Sequence, residues 1–354
     1  MKKLMKDSDW SFFWVCVKLG IGALIYRGAI EFLSYVALAL VSVIAIIDPE
    51  NVVLYNSLSQ LATSIVSIAA FLLSAVTLWI LLRVGKRKNY QPTYWKWRVT
   101  PFAPFLIIST VALNFAMAEI NSMLMSLLMP NVSTNIMMGA AYEISAIEIV
   151  LMFISTAVIP GIVEEIMFRG IMLTNLMPYG KGMAIVCSAF LFGLMHMNPA
   201  QFFYTTLMGL VLGYIYVRTR SIWLCIIIHF TNNALGVIQQ IIYQNNDADV
   251  ADALMSEMMI IVAILGIISI GILLIVRAVN RRKSPENIGS FGRICDPELS
   301  YEACRVTHSR KMLMFFSPSI SLFTVIVFIS MITAMVSFII SGLVLGMMPG
   351  LFNF

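Results

Sequence analysis

Long apolar segments separated by short polar ones dominate this chain. Nine of them are candidates for membrane-spanning helices, near residues 30–47, 58–82, 102–127, 144–176, 182–197, 202–217, 221–241, 258–278 and 318–346. A helix needs roughly 20 residues to cross a hydrocarbon core of about 30 Å, and it satisfies its own backbone hydrogen bonds there. The pattern predicts an all-α fold, a polytopic transmembrane bundle of about eight to nine spanning helices.

A mixed polar and apolar segment, MKKLMKDSDWSFFWVCVKLG, precedes the first predicted span. Its basic start and apolar stretch are similar to those of a secretory signal peptide. However, Lys18 interrupts the apolar stretch and no small-residue cleavage site follows it. We therefore expect a retained amphipathic helix that leads into the first span.

The distribution of basic residues predicts the orientation in the membrane. Lys and Arg are concentrated before the first predicted span, where Lys18 and Arg27 lie, and after the second, fourth, sixth and eighth spans. The intervening connections 48–57, 128–143 and 242–257 contain neither residue. Because cytoplasmic loops are enriched in Lys and Arg, this alternation predicts nine crossings, with the N-terminus in the cytoplasm and the C-terminus outside.

The composition supports a membrane protein and argues against a nucleic-acid partner. Hydrophobic residues make up 60% of the 354 residues and charged residues 12%, whereas about 25% of a soluble domain is charged. The stretch KRKNYQPTYWKWR is basic and aromatic, and the net charge is +5. Between two spans we expect its basic residues to contact lipid headgroups, and Tyr94, Trp95 and Trp97 to lie at the membrane interface.

Ionisable residues occur inside three consecutive apolar segments. The segments are VIPGIVEEIMFRGIML with Glu164, Glu165 and Arg169, AFLFGLMHMNPAQF with His196, and SIWLCIIIHFTNNAL with His229 and Asn233. A charge at hydrocarbon depth costs at least about 2.5 kcal/mol, so such residues by default face a functional interior rather than lipid. The three segments together predict one polar site that is built by several helices.

Helical geometry predicts different surroundings for the two adjacent glutamates. Glu165 and Arg169 are four residues apart with the acid first, which favours an ion pair on one helix face. Glu164 points about 100° away from Glu165, so it does not join this ion pair and can take part in chemistry. Pro160 has no N–H to donate to the carbonyl of Thr156, so we expect a kink there that opens space beside the acids.

The residue types at this site suit hydrolysis by either of two routes. A carboxylate in a dry pocket is a competent base for water, and His and Asn can donate to a developing oxyanion. Alternatively, Glu164, His196 and His229 could bind Zn²⁺, which activates a bound water. The sequence leaves the cofactor open between none and zinc, although Asn233 is a poor zinc ligand and fits better as an oxyanion donor.

A second candidate metal site is weaker. Cys295, Cys304 and His308 lie close together in the polar segment 280–315, but their spacing fits no standard zinc pattern and a fourth ligand is missing. We expect no metal there.

Three short motifs resemble a known family. EEIMFRG, FGLMH and HFTNN are similar in order and spacing to the EExxxR, FxxxH and HxxxN motifs of the CPBP family of intramembrane proteases, also called Abi or CAAX-protease-like proteins. The resemblance covers about residues 144 to 240. One departure is Arg220, which stands where relatives commonly carry a glycine turn.

The resemblance implies a helical endopeptidase that depends on glutamate or on metal. It implies roles for seven residues: water activation by Glu164 and His196, oxyanion support by His229 and Asn233, and structural or substrate-orienting roles for Glu165, Arg169 and Phe192. The implied substrate is a peptide or membrane protein in the lipid bilayer of a bacterial cell membrane, with CAAX-type processing as one candidate.

The chain accordingly divides into three predicted regions. Residues 1–143 carry the amphipathic segment and about three spans, residues 144–241 form the catalytic core, and residues 242–354 carry the last spans with a polar cytoplasmic loop at 280–315. Two alternatives to a protease are a noncatalytic membrane scaffold or bacteriocin-immunity protein on the same fold, and a proton-coupled transporter. A transporter is disfavoured because the sequence shows no internal repeats of broken helices.

Overall fold

The computed structural model describes residues 7–47, 52–83, 95, 101–128, 146–283 and 313–347. These residues confirm the all-α prediction, because helices occupy nearly all of them and no strand occurs among them. The helices that correspond to the nine predicted spans are α1 (Asp7–Ile47), α2 (Val52–Arg83), α3 (Ala103–Leu128), α4 (146–179), α5 (Lys181–Met195), α6 (Pro199–Thr219), α7 (Ile222–Asn245), α8 (Ala248–Lys283) and α9 (Pro318–Met347).

Six of these described helices, α1 to α4, α7 and α8, are long and apolar enough to cross a membrane. They support an integral membrane protein. Helix α5 has only 15 residues and extends for about 22 Å, which is less than the hydrocarbon thickness. A helix of this length is too short to cross the hydrocarbon core along the membrane normal.

The N-terminal helix differs from its predicted form. Helix α1 is continuous from Asp7, and its membrane-spanning candidate covers Trp10–Val43 rather than 30–47. Side chains of the predicted lead-in segment, including Phe12 and Cys16, are buried in the main hydrophobic core. The segment is therefore not a separate amphipathic helix, and Lys18 lies inside the span rather than before it.

Helix α4 alternates between α-helical and π-helical geometry. Its α-helical parts are Ala146–Met152, Ile159–Glu165 and Thr174–Leu176, its π-helical parts are Phe153–Val158 and Ile166–Leu173, and it ends in the 3₁₀ turn Met177–Tyr179. Pro160 lies in the first turn after the first π-helical part. The irregularity that the sequence predicts at Pro160 thus takes the form of a wide turn, a feature that is frequent at functional sites.

Side-chain donors satisfy carbonyl groups of the second π-helical part. The Ser188 hydroxyl of α5 donates to the Phe168 carbonyl at 2.9 Å, and the Thr174 hydroxyl donates to the Arg169 carbonyl at 2.8 Å. A polar backbone group without a partner is costly in an apolar interior. These hydroxyl groups therefore help α4 to keep its irregular geometry within the membrane.

The helices that carry the three motifs, α4 to α7, contact helices from the rest of the chain. Helix α2 contacts α4, and α1 contacts both α2 and α9. Helix α3 contacts α6, α7 and α8. Helix α1 also contacts the end of α4, and α9 contacts α5. Helices from both ends of the described chain therefore pack against the region that carries EEIMFRG, FGLMH and HFTNN.

Two predicted features lie partly or wholly outside the described residues. In the basic aromatic stretch, the Trp95 carbonyl accepts a hydrogen bond at 2.9 Å from Nε1 of Trp223, which lies at the start of α7. Tyr94 and Trp97 lie outside the described residues. The second candidate metal site, Cys295, Cys304 and His308, also falls outside it.

The residue that departs from the family pattern has a special backbone conformation. Arg220 follows α6 with φ of 52°, in the left-handed region that glycine enters at little cost. Its backbone amide donates to the Tyr216 carbonyl at 2.8 Å. This geometry explains why a glycine would suit this turn.

We predict that Gly193→Ala destabilises the protein. A Cβ at Gly193 would overlap the Thr206 side chain and lie 2.9 Å from the Phe202 carbonyl oxygen. Separating α5 from α6 to relieve this contact is expected to cost about 1 to 3 kcal/mol. Gly182→Ala in the same helix is the matched control, because a Cβ there meets no atom within 4 Å. Thermal melting in detergent should show a lower Tm for Gly193→Ala alone, and equal melting of both variants would contradict the close packing.

Candidate active site

A buried carboxylate on α4 holds two partners. Glu165 Oε1 lies 2.7 Å from Arg169 Nη1 and 2.8 Å from His229 Nδ1, which comes from α7. The side chains of Glu165 and Arg169 are 0% and 1% exposed. The ion pair expected from the i,i+4 spacing is therefore present, and it also binds His229, a contact that the sequence did not predict.

The absence of a side chain at Gly161 allows α7 to approach α4 closely. A Cβ at this position would lie 3.2 Å from the backbone nitrogen of Phe230. Phe230 directly follows His229, so the close approach of the two backbones brings the imidazole within reach of Glu165. A bulky residue in place of Gly161 would push the two helices apart.

Phe192 on α5 lies against three of the polar side chains. The Arg169 guanidinium carbon is 4.6 Å from the centre of its ring, and the rings of His196 and His229 meet it edge-on at centroid distances of 5.0 and 5.9 Å. A buried cation over an aromatic face is attracted by the ring quadrupole. Phe192 therefore fixes the relative positions of Arg169 and the two imidazoles.

The hydrogen bonds of the two histidines orient their rings in the same way. His196 Nδ1 lies 2.9 Å from the Phe192 carbonyl, and His229 Nδ1 lies 2.8 Å from Glu165 Oε1. An acceptor at Nδ1 calls for an N–H there, which in a neutral imidazole leaves the lone pair on Nε2. The Nε2 atom of His229 lies 3.9 Å from Glu164 Oε2.

Glu164 lies in a different environment from its neighbour. Its side chain is 13% exposed and lines a cavity of roughly 630 Å³ together with His196. Hydroxyl and amide side chains from α2, α4, α6 and α7 form most of the remaining walls, including Gln201 and Tyr204 of α6. The cavity is thus polar although it lies within an apolar bundle, and it can admit water next to Glu164.

Asn233 closes a gap in the backbone hydrogen bonding of α4. Its Nδ2 donates to the Thr156 carbonyl at 3.0 Å, the same carbonyl for which Pro160 has no N–H. Its neighbour Asn232 connects in turn to Asn114 of α3. One N–H of the Asn233 amide therefore links α7 to α4, and an amide carries two such groups.

The predicted site residues thus come together. Glu164, His196 and Asn233 line the cavity, and His229, Glu165, Arg169 and Phe192 lie behind it.

The positions of Glu164, His196 and His229 give one observation for zinc binding and one against it. Histidines that bind metals usually donate their other ring N–H to a carboxylate or carbonyl, as His196 and His229 do. Yet the residues that the structure describes include no group of three or more His, Cys, Asp or Glu that could hold a metal ion. Zinc binding by Glu164, His196 and His229 accordingly stays a prediction.

Arg27 is a site neighbour that the sequence reasoning placed elsewhere. Counted among the basic residues before the first span, it lies inside α1 and contacts the Met197 sulfur, next to His196, and Ser330 Oγ of α9. It also pairs with Glu31. The i,i+4 spacing of Arg27 and Glu31 within an apolar stretch was the signal that could have identified this intramembrane pair.

Comparison with known proteins confirms the family resemblance. Residues 146–235 match the family described as "Type II CAAX prenyl endopeptidase Rce1-like". The chain is also 34% identical over 94 residues to the protein named "Putative membrane peptidase YdiL" of Bacillus subtilis (strain 168). This alignment covers 26% of the chain and 38% of that relative's length. No solved structure matches the chain.

We predict that Arg169→Ala lowers the Tm more than Glu164→Gln does. Removing the guanidinium leaves the buried Glu165 carboxylate without its cation, and breaking a buried pair from one side costs about 3 to 5 kcal/mol. Glu164→Gln keeps the shape of a partly exposed side chain. Thermal melting of both variants in the same detergent checks this difference, and equal melting temperatures would argue against a structural role for Arg169.

Proposed function

We propose that this protein, whose residues 146–235 form a segment of the CPBP family, is an intramembrane endopeptidase that uses water to hydrolyse peptide bonds. The observation that carries this proposal is the polar cavity that Glu164 and His196 line within a bundle of membrane-spanning helices. The family description and the name of the relative both refer to peptidases. Helices outside the matched segment complete the cavity wall.

Glu164 is the proposed general base. It is the acidic side chain of the cavity wall, and its neighbour Glu165 is already bound by Arg169 and His229. His196 presents Nε2 as an acceptor when its Nδ1–H donates to the Phe192 carbonyl. A water molecule can then donate one hydrogen to Glu164 and the other to His196, which orients its lone pair toward a substrate carbonyl.

The proposed reaction proceeds in two steps. Glu164 removes a proton from water while the water oxygen bonds to the carbonyl carbon, and the electrons of the C=O double bond move to the carbonyl oxygen. The tetrahedral intermediate then collapses as the C–N bond breaks, and the proton on Glu164 passes to the leaving nitrogen. The products are a carboxylic acid and an amine, and Glu164 is again a carboxylate.

Asn233 and His229 are the proposed donors to the oxyanion. The second N–H of the Asn233 amide is suited to this role, because the first one donates to the Thr156 carbonyl. His229 would donate from Nε2 in its imidazolium form, in which Nδ1–H bonds the Glu165 carboxylate. Loss of one such donor costs about 10² to 10³ in kcat in acyl-transfer enzymes.

The proposed substrate is a peptide or a membrane protein that enters the cavity from the bilayer. CAAX-type processing is the activity that the family description names, and it is one form that this hydrolysis could take. We further propose a bacterial cell membrane as the location and a cytoplasmic N-terminus, in line with the distribution of Lys and Arg.

We predict that Glu164→Gln abolishes proteolysis and leaves the fold intact. Loss of the base should lower the rate by about 10²-fold or more. Newly formed peptide termini are compared by mass spectrometry in membranes from cells that express the wild type, Glu164→Gln or the control Glu257→Gln on an exposed face of α8. We expect a set of termini that is present in the wild type and the control and missing in Glu164→Gln. Termini that persist in a well-folded Glu164→Gln variant would refute the role of Glu164.

Elemental analysis of purified, active protein distinguishes the two hydrolytic routes. We predict that activity survives washing with a chelator and that zinc is substoichiometric. Asn233 is a poor zinc ligand, and the described cavity wall offers no second carboxylate to act as base if Glu164 binds zinc. Stoichiometric zinc that is lost together with activity, and restored with it, would establish the metal-dependent route instead. Binding of zinc would then also be expected to fall in His196→Ala.

A further inference from the structure

We propose that the cavity wall formed by Thr63 and Ser67 of α2 and by Gly236 and Gln240 of α7, here called the α2–α7 wall, binds an unwound stretch of polypeptide main chain next to the scissile bond. This inference rests on the proposed function, because it assigns a substrate class to the same cavity. It selects unlipidated polypeptide over a prenyl chain as the group that the cavity recognises.

The chemistry of the α2–α7 wall matches that of peptide groups. The Thr63 hydroxyl donates to the Ser59 carbonyl of its own helix and offers an acceptor. Ser67 offers a hydroxyl group and Gln240 an amide, so the wall has both donors and acceptors but no charge. A peptide group likewise has one donor and one acceptor and no charge. A prenyl chain has neither, and its burial against these side chains would remove them from water without new hydrogen bonds.

Hydrolysis within a membrane requires hydrogen-bond partners for the substrate backbone. A membrane-spanning substrate satisfies its backbone groups within its own helix, which hides the carbonyl carbon from water. Unwinding exposes N–H and C=O groups, which are unfavourable in an apolar medium when they lack hydrogen-bond partners. Hydroxyl and amide side chains along the cavity can replace the hydrogen bonds that the substrate helix loses.

Gly236 provides the space that a bound chain would occupy. A Cβ added there meets no described atom within 4 Å, so packing against another helix does not require a glycine at this position. A glycine inside a helix destabilises it relative to an alanine. This glycine therefore leaves open space beside the backbone of α7, on the wall of the cavity.

The position of the wall relative to the catalytic residues fits this role. Gly236 and Gln240 follow Asn233 on α7 at spacings of three and seven residues, which places all three near one helix face. Helix α2 lies outside the matched segment 146–235. Substrate choice can therefore differ between relatives that share the catalytic residues but not the sequence of α2.

Binding is measured with the inactive Glu164→Gln protein, so that the result does not depend on cleavage. The protein is reconstituted in vesicles of phosphatidylethanolamine and phosphatidylglycerol with a biotinylated, photoactivatable polyleucine peptide that carries a central Asn-Pro-Gly helix break. We expect cross-linking of this peptide to exceed that of an uninterrupted polyleucine peptide by at least tenfold. Farnesol, which has a prenyl chain but no peptide group, should not displace it when added as competitor.

Gly236→Leu, introduced into the same protein, tests the wall directly. The leucine side chain fills the open space, and cross-linking should fall at least tenfold. Gly271→Leu on α8 is the matched control, because a Cβ there also meets no atom within 4 Å and the residue is not part of the wall. A melting temperature for each variant shows that it is folded.

The outcomes separate this inference from the proposed function. Equal cross-linking of the two polyleucine peptides, displacement by farnesol, or no effect of Gly236→Leu would each overturn the inference about the wall. Cleavage of the broken peptide is measured in parallel with otherwise wild-type protein. Wall-dependent binding without any cleavage would support the binding site and count against the peptidase assignment.

Discussion

The Glu165 carboxylate is the group on which the arrangement of the site depends. It is fully buried, and it accepts hydrogen bonds from Arg169 of its own helix and from His229 of α7. A carboxylate in an apolar interior is tolerated only when it is paired and hydrogen-bonded. The pairing therefore determines where α7 lies relative to α4, and Gly161 permits the close approach of the two backbones that it requires.

The same pairing places the two adjacent glutamates in different surroundings. With Glu165 turned inward, Glu164 faces the polar cavity. Phe192 lies between the Arg169 guanidinium and the imidazoles, so that a single aromatic ring connects the structural pair to the catalytic candidates. Hydroxyl and amide side chains complete the backbone hydrogen bonds of α4. The buried pair itself keeps two polar atoms without a hydrogen-bond partner among the described residues, Glu165 Oε2 and Arg169 Nε.

The family segment is only part of the site. Helix α2 contributes to the cavity wall, and Arg27 of α1 contacts the turn after His196 together with α9. These helices lie outside residues 146–235. The candidate residues Glu164, His196 and Asn233 thus lie in the matched segment, whereas helices outside it form part of the cavity wall and contact the turn after His196.

The sequence by itself determined the helical class, the order of the spans and the identity of the polar residues, because apolar length and i,i+4 spacing are local properties. It also predicted that the Thr156 carbonyl receives no hydrogen bond from Pro160. Only the tertiary structure decided that Asn233 donates to that carbonyl, that His229 joins Glu165 and that α1 begins well before residue 30. Each of these depends on a contact between residues far apart in the chain, and helical periodicity carries no information about which faces of different helices meet.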